Sequence, residues 1–167
     1  MDLLIDLFGY LSIVVHGLTI LAQSIALGGV FFLALLARPL ASRLGTSGAG
    51  VVQDTQRVAA WGAVALLLCE ATTVALQTAV LVGTVDLSVA DVLAAQFAGA
   101  GLIKMAIAGV IATLLFVRAA RAPVPLLVAL ALMELAAATL TTHAVARLDD
   151  RLPLPAVPYL GLRDQAG

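Results

Sequence analysis

Two histidines and a small set of ionisable residues inside apolar runs are the side chains here whose types and spacing could do chemistry. His16 and His143 each lie ~33 Å along their own run from the arginine at its far end (Arg38 and Arg121), at ~1.5 Å per residue. They therefore share a depth, on the first and last apolar segments. In an antiparallel bundle those segments are often neighbours. Two imidazoles meeting there would suit copper, or the axial positions of a b-type haem. Further ligands would come from Asp2, Asp6, Asp149, Asp150, the terminal amine or a backbone carbonyl. The same two residues also suit a plainer role, as polar groups where helices leave a bilayer. One spacing opposes the ligand reading: Glu134 and His143 are nine residues apart, which puts them on opposite faces of an ideal helix.

The ionisable residues form a second pattern. Glu70 lies ~20 Å along its run from Arg57, Glu134 ~20 Å from Arg121, Lys104 ~21 Å from Arg118 and Gln23 ~22 Å from Arg38. The rule of constant rise thus predicts one polar layer with a member on every helix. An unpaired charge there would cost at least ~2.5 kcal/mol, so these side chains are expected to face one another. Lys104 between Glu70 and Glu134 is the natural pairing, with Gln23 available to the second carboxyl. Thr73 and Gln77 continue the Glu70 face at helical spacing and extend a polar stripe toward one surface. Such a layer serves either ion or proton movement, or simply bundle register. Met105 and Met133 read as core filling, and Cys69, beside Glu70, as a small apolar residue.

The elements that must hold these residues are transmembrane. Of the 167 residues 62% are hydrophobic and 11% charged, and the mean hydropathy is +1.11. Apolar runs pass the ~18-residue threshold several times. A net charge of −1 gives no basic footprint for nucleic acid, and one cysteine cannot form an internal disulfide. The acidic start "MDLLIDLFGY" lacks the positive region of a signal peptide, so the first helix is expected to be retained.

Spans are predicted at about residues 7–36, 55–82, 98–117 and 124–145, within a membrane domain of residues 1–148. Arg38 and Pro39 are expected to end the first span, "LGTSGAG" to form a loop, and Asp54 or Thr55 to cap the second helix. A short surface helix capped by Ser88 is expected in "GTVDLSVADV", and the prolines of "RAARAPVP" suit the start of the fourth helix. Residues 149–167 read as a proline-rich extended tail. Arg38, Arg43 and Arg57 flank the first loop and Arg118 and Arg121 the third, which outweighs Arg147, Arg151 and Arg163 on the other side. The positive-inside rule then places both termini outside, in the periplasm of a Gram-negative cell. The expected fold is all-α, a polytopic four-helix bundle packed through small residues in "ALGG", "AGAGL" and "ELAAA".

Three stretches together resemble the CopD-type copper-resistance family of bacterial inner-membrane proteins. "SIALGGVFFLALLARPL" (24–40) is similar to its first helix, with a Gly-Gly-x-x-Phe core and terminal Arg-Pro. "QFAGAGLIKMAIAGVIATLL" (96–115) is similar to the segment in which a glycine and a basic position, here Lys104, precede a long apolar run. "LTTHAVARLDDRLPLP" resembles the helix end that carries a histidine, and His143 matches it. The resemblance implies copper uptake or delivery at the periplasmic face, with His143 as a ligand and a periplasmic copper chaperone as partner. After that histidine the family continues into another helix with a Trp-Gly-Gly motif, whereas this chain reads "LPLPAVPYLGLRDQAG". A shortened member or a fragment is therefore expected. The alternatives are an accessory subunit of a larger membrane complex and a b-type haem protein. No nucleotide loop, activated nucleophile or thiolate zinc spacing occurs, so no enzyme is expected.

Overall fold

The structure, a computed structural model, describes residues 2–85, 90, 96–117 and 123–151. Of the expected tail, residues 149–151 belong to the last helix instead, and the part from 152 onward, like the Ser88 turn and the loop with Arg118 and Arg121, lies outside the described residues. Everything in regular structure among the described residues is helical, which pairs backbone N–H and C=O groups within each segment where no water is available to them. Helix α1 covers Asp2–Phe32 and passes through a π-helical turn, Leu33–Ala37, into α2 at Arg38–Leu44. After Gly45 come α3 (Thr46–Val85), α4 (Gln96–Val117) and α5 (Val124–Arg151). Counting α1 and α2 as one rod, these are four helices.

Three segments are long and apolar enough to cross a membrane: Phe8–Ala41, Gly48–Gly83 and Ala98–Val117. The fourth rod contributes a shorter apolar stretch, Val124–Leu140. Neither α3 nor α4 gathers its polar residues into one face for solvent, and α4 is apolar nearly throughout. Their hydroxyls are largely satisfied locally. Thr55, Thr72, Thr73 and Thr113 each donate to the carbonyl four residues back, as Thr19 and Ser24 do in α1.

The first helical hairpin departs from the expected boundaries. The helix does not stop at Arg38–Pro39. Proline removes an N–H and its ring clashes with the carbonyl four residues earlier. The π turn just before it widens the backbone there, the Arg38 N–H reaching back to the Leu33 carbonyl. Nor is "LGTSGAG" a loop, and Asp54 and Thr55 stand inside α3 rather than at its cap. Gly45 makes the turn alone, at φ +60°, a conformation costly for a residue with a Cβ. Its carbonyl accepts from the Ala49 N–H at 3.3 Å. Gly48 then allows α3 to start against α2, because a Cβ there would lie 2.6 Å from the Ala41 Cα. The start of α5 is as expected: the Pro123 carbonyl accepts from Leu126 and Leu127, and Pro125 occupies the first turn.

Helix α3 is the central element, packed against α1, α2 and α4, while α5 rests on α4 and touches α1. The α1–α3 seam is built from the smallest side chains. A Cβ on Gly29 would meet the Ala59 Cβ at 2.6 Å, and one on Gly62 would meet the Ala26 backbone nitrogen at 2.9 Å. Ala59, Ala60 and Ala63 are fully buried along it. Lipid is as apolar as leucine, so such close backbone approach, and the dispersion contacts it permits, holds these helices together. Among larger side chains, Val30, Leu33, Leu66 and Ile111 are fully buried.

Gly62→Val is expected to lower stability by about 1–3 kcal/mol, the usual range for overpacking. Gly28→Ala, whose Cβ would meet nothing within 4 Å, should leave stability unchanged or slightly raised. Unfolding of both variants by increasing SDS in mild detergent, monitored by circular dichroism, checks the contrast.

Candidate functional site

The site is a charged cluster to which α3, α4 and α5 each contribute one side chain. Glu70 occupies the face of α3 that turns toward α4, and the Lys104 ammonium donates to its Oε1. The side chains of the pair are only 12% and 6% exposed, lysine and glutamate respectively. Glycines on α4 permit this contact. Gly101 lies against Val74 and Gly109 against Leu67, so α4 approaches α3 closely on both sides of Lys104. Those two contacts and the ion pair share one antiparallel register, and the edge-to-face contact of Trp61 with Phe116 continues it.

The third member is Glu134 on α5. It is 0% exposed and ranks with Leu33, Leu66, Ile111 and Val30 among the largest fully buried side chains. Both of its carboxyl oxygens lack a hydrogen-bond partner among the described residues. Lys104 and Glu70 are the charged groups that act on it electrostatically. The cluster thus holds two carboxyls and a single ammonium, which is already engaged by Glu70. A buried carboxyl without a partner is costly in any ionisation state, since it gives up its hydrogen bonds to water. The arrangement can therefore accept a cation or a hydrogen-bond donor, and Glu134 is the group positioned to receive it.

Gln23 does not join this layer by hydrogen bonding: it is half-buried on α1 and makes no bond to Glu134. The register explains its place. Gly29 meets Ala59 and Ala26 meets Gly62, so Glu70 lies level with about position 18 of α1 and Gln23 level with about position 65 of α3. Depth counted from arginines misplaces Gln23 because Gly45 turns the chain well before Arg57. Arg38 and Arg57 are thus not at one level. Thr19, not Gln23, is the buried polar side chain near the level of Glu70, and it is occupied with the Val15 carbonyl.

The polar stripe is short. Thr73 donates to the Cys69 carbonyl and Gln77 is exposed. Thr78, which the sequence reading passes over, buries its hydroxyl with no partner among the described residues. It comes two i+4 steps after Glu70, through Val74, and that spacing is the signal that could have found it. Met133, expected in the core, is exposed instead. Leu127, Ala131 and Glu134 take the inward face of α5, and the neighbouring position turns away. Met105 and Cys69 are half-buried.

His16 is exposed on α1, off the packed face that carries Val15, Thr19 and Ala22. His143 belongs to the α5 backbone, but its side chain, like those of Asp149 and Asp150, lies outside the described residues. Among the described residues no group of three or more His, Cys, Asp or Glu side chains is placed to hold a metal ion.

Fold and cluster together define a multi-pass α-helical membrane bundle with an ionisable interior. Compared with protein-family models, curated proteins and solved structures, the chain matches none of them.

Lys104→Met is expected to destabilise the bundle by about 3–5 kcal/mol, because it leaves the Glu70 carboxylate buried without its cation. The double variant Glu70→Leu/Lys104→Met should recover most of that loss, since replacing a whole buried ion pair by apolar groups is often neutral. SDS-induced unfolding of the two singles and the double, read as a mutant cycle, measures the coupling.

Proposed function

We propose that the chain is a multi-pass protein of the bacterial inner membrane that takes up a cation at the periplasmic face and passes it through the bundle. The observation that carries this reading is Glu134, fully buried beside the Glu70–Lys104 pair with both carboxyl oxygens unpartnered among the described residues. Intramembrane ionisable groups that face a bundle interior mark ion and proton paths by default. The arginines Arg38, Arg43 and Arg57 around the first hairpin turn favour a cytoplasmic place for that turn and periplasmic termini. The resemblance of three stretches to copper-resistance proteins points to copper as the cargo. His16 and His143 would be its ligands at the periplasmic end, and a copper chaperone or larger complex the partner there. Imidazole suits copper of either oxidation state, and the carboxyls of the layer suit a divalent ion or the accompanying proton.

A second reading rests on a different observation. Lys104 already compensates Glu70, and flanking glycines lock the two helices together. On that reading the cluster fixes helix register in an accessory subunit and moves nothing.

Two measurements on the full chain separate the readings. Elemental analysis after exposure to copper and washing should give on the order of one copper per chain, lost when both His16 and His143 become Ala. In vesicles, copper entry should disappear in Glu134→Leu while the protein still folds and inserts. Copper retained by the double histidine variant would remove the ligand assignment. Absence of copper, with Glu134→Leu folding at least as stably as the parent, would establish the register reading. Iron at a similar ratio, with a haem absorption band, would replace copper by haem.

A further inference from the structure

The α1–α3 seam carries an apolar groove of about 600 Å³ that runs from Arg57 to Cys69 along α3. Its floor is made by small residues, with Ala22 and Gly62 buried and Ala65 beside them. Its walls are large exposed side chains: Leu18, Leu21 and Ile25 from α1, and Val58, Trp61 and Leu68 from α3. The seam that brings the two backbones together at Gly62 also leaves this trough, because residues too small to fill it line its base.

Three features point to one kind of occupant. The groove runs along α3 from Arg57 to Cys69, which is ~18 Å at the helical rise and close to one leaflet of a hydrocarbon core ~30 Å thick. Arg57 stands at one end, exposed and without an ion pair among the described residues. It closes the polar run "QDTQR", after which α3 becomes apolar, so the groove has one cationic end and an otherwise apolar lining. The third feature is a fixed wall. Trp61 is 64% exposed, yet its ring packs edge-on against Phe116 of α4 at 5.5 Å between centroids. A preformed wall lowers the ordering cost of a ligand.

We propose that this groove is a binding site for an anionic glycerophospholipid of the leaflet on the Arg57 side. One acyl chain lies along Trp61, Ala65 and Leu68, and the phosphodiester pairs with the Arg57 guanidinium. The arginine supplies the preference for net-anionic headgroups, and the groove makes the lipid a seated one rather than one of the exchanging boundary layer.

Trp61 is the single tryptophan of the chain, so it reports on its own groove. The experiment places the full chain in phosphatidylcholine vesicles containing a low mole fraction of lipid brominated on its acyl chains. The brominated lipid is either phosphatidylglycerol or phosphatidylcholine, and quenching of Trp61 fluorescence is compared at equal fractions. Brominated phosphatidylglycerol should occupy the groove with roughly fivefold preference, the ratio that about 1 kcal/mol per basic residue at an anionic surface implies. The preference should vanish in Arg57→Gln, an exposed position whose replacement leaves the packing intact. It should also vanish in Ala65→Leu, which fills the trough and keeps the arginine. Equal quenching by the two lipids in the parent protein would overturn the site. Preference surviving Arg57→Gln would remove the arginine as its anchor. Preference surviving Ala65→Leu would show that the surface charge acts without the groove, and would equally overturn the proposal.

Discussion

An ammonium and a carboxylate brought into contact inside an apolar bundle commit two helices to one another. Lys104 and Glu70 are each nearly buried, and neither has water to fall back on. Sliding α4 along α3 by one turn would strand both charges in a medium where each costs several kcal/mol. The glycines at 101 and 109 are in register with this pairing, and so are the Trp61–Phe116 contact along the same seam and the buried Glu134 beside it. Dispersion between small residues gives the helices their affinity, but along an alanine-rich seam it has several nearly equal minima. The ion pair selects among them.

Glu134 obeys the same constraint. Helix α5 presents Leu127, Ala131 and Glu134 inward, and the last of these arrives where the only nearby cation among the described residues is already engaged. A bundle evolved for packing alone has no use for a carboxyl at that place, since leucine would fill it without losing hydrogen bonds. That mismatch between local chemistry and local packing gives the cluster its functional interest.

Much of this was legible in the sequence, and the failures are as physical as the successes. Hydrophobic run length located the four rods, because only helices satisfy their own backbone in lipid. The shared layer of Glu70, Lys104 and Glu134 emerged from rise per residue alone. The same ruler failed for Gln23 because it assumed that Arg38 and Arg57 mark one depth. Where a hairpin turns depends on a single glycine conformation at Gly45, and "LGTSGAG" offers three glycines with no local cue to choose between them. The helix through Arg38–Pro39 was hidden for a related reason: proline reads as a stop unless the backbone widens ahead of it, and the residues "LALLA" give no sign that they do so. Thr78 was overlooked because threonine in a membrane helix usually bonds to its own backbone, as Thr72 and Thr73 do here.

The π turn at Leu33–Ala37 sets the phase of the helix beyond it. The inward face of the first rod passes through Val15, Thr19, Ala22, Ala26, Val30 and Leu33, and then continues at Ala37 and, against Gly48, Ala41. A helix of ~3.6 residues per turn drifts out of step with that spacing and would carry its last positions around toward lipid. One wide turn absorbs the surplus residue, so that Ala41 still faces α3 where the chain reverses. The hairpin's geometry thus depends on an offset in winding of a single residue. The segment Leu33–Ala37 accordingly decides which face the rod turns toward α3 between there and Gly45.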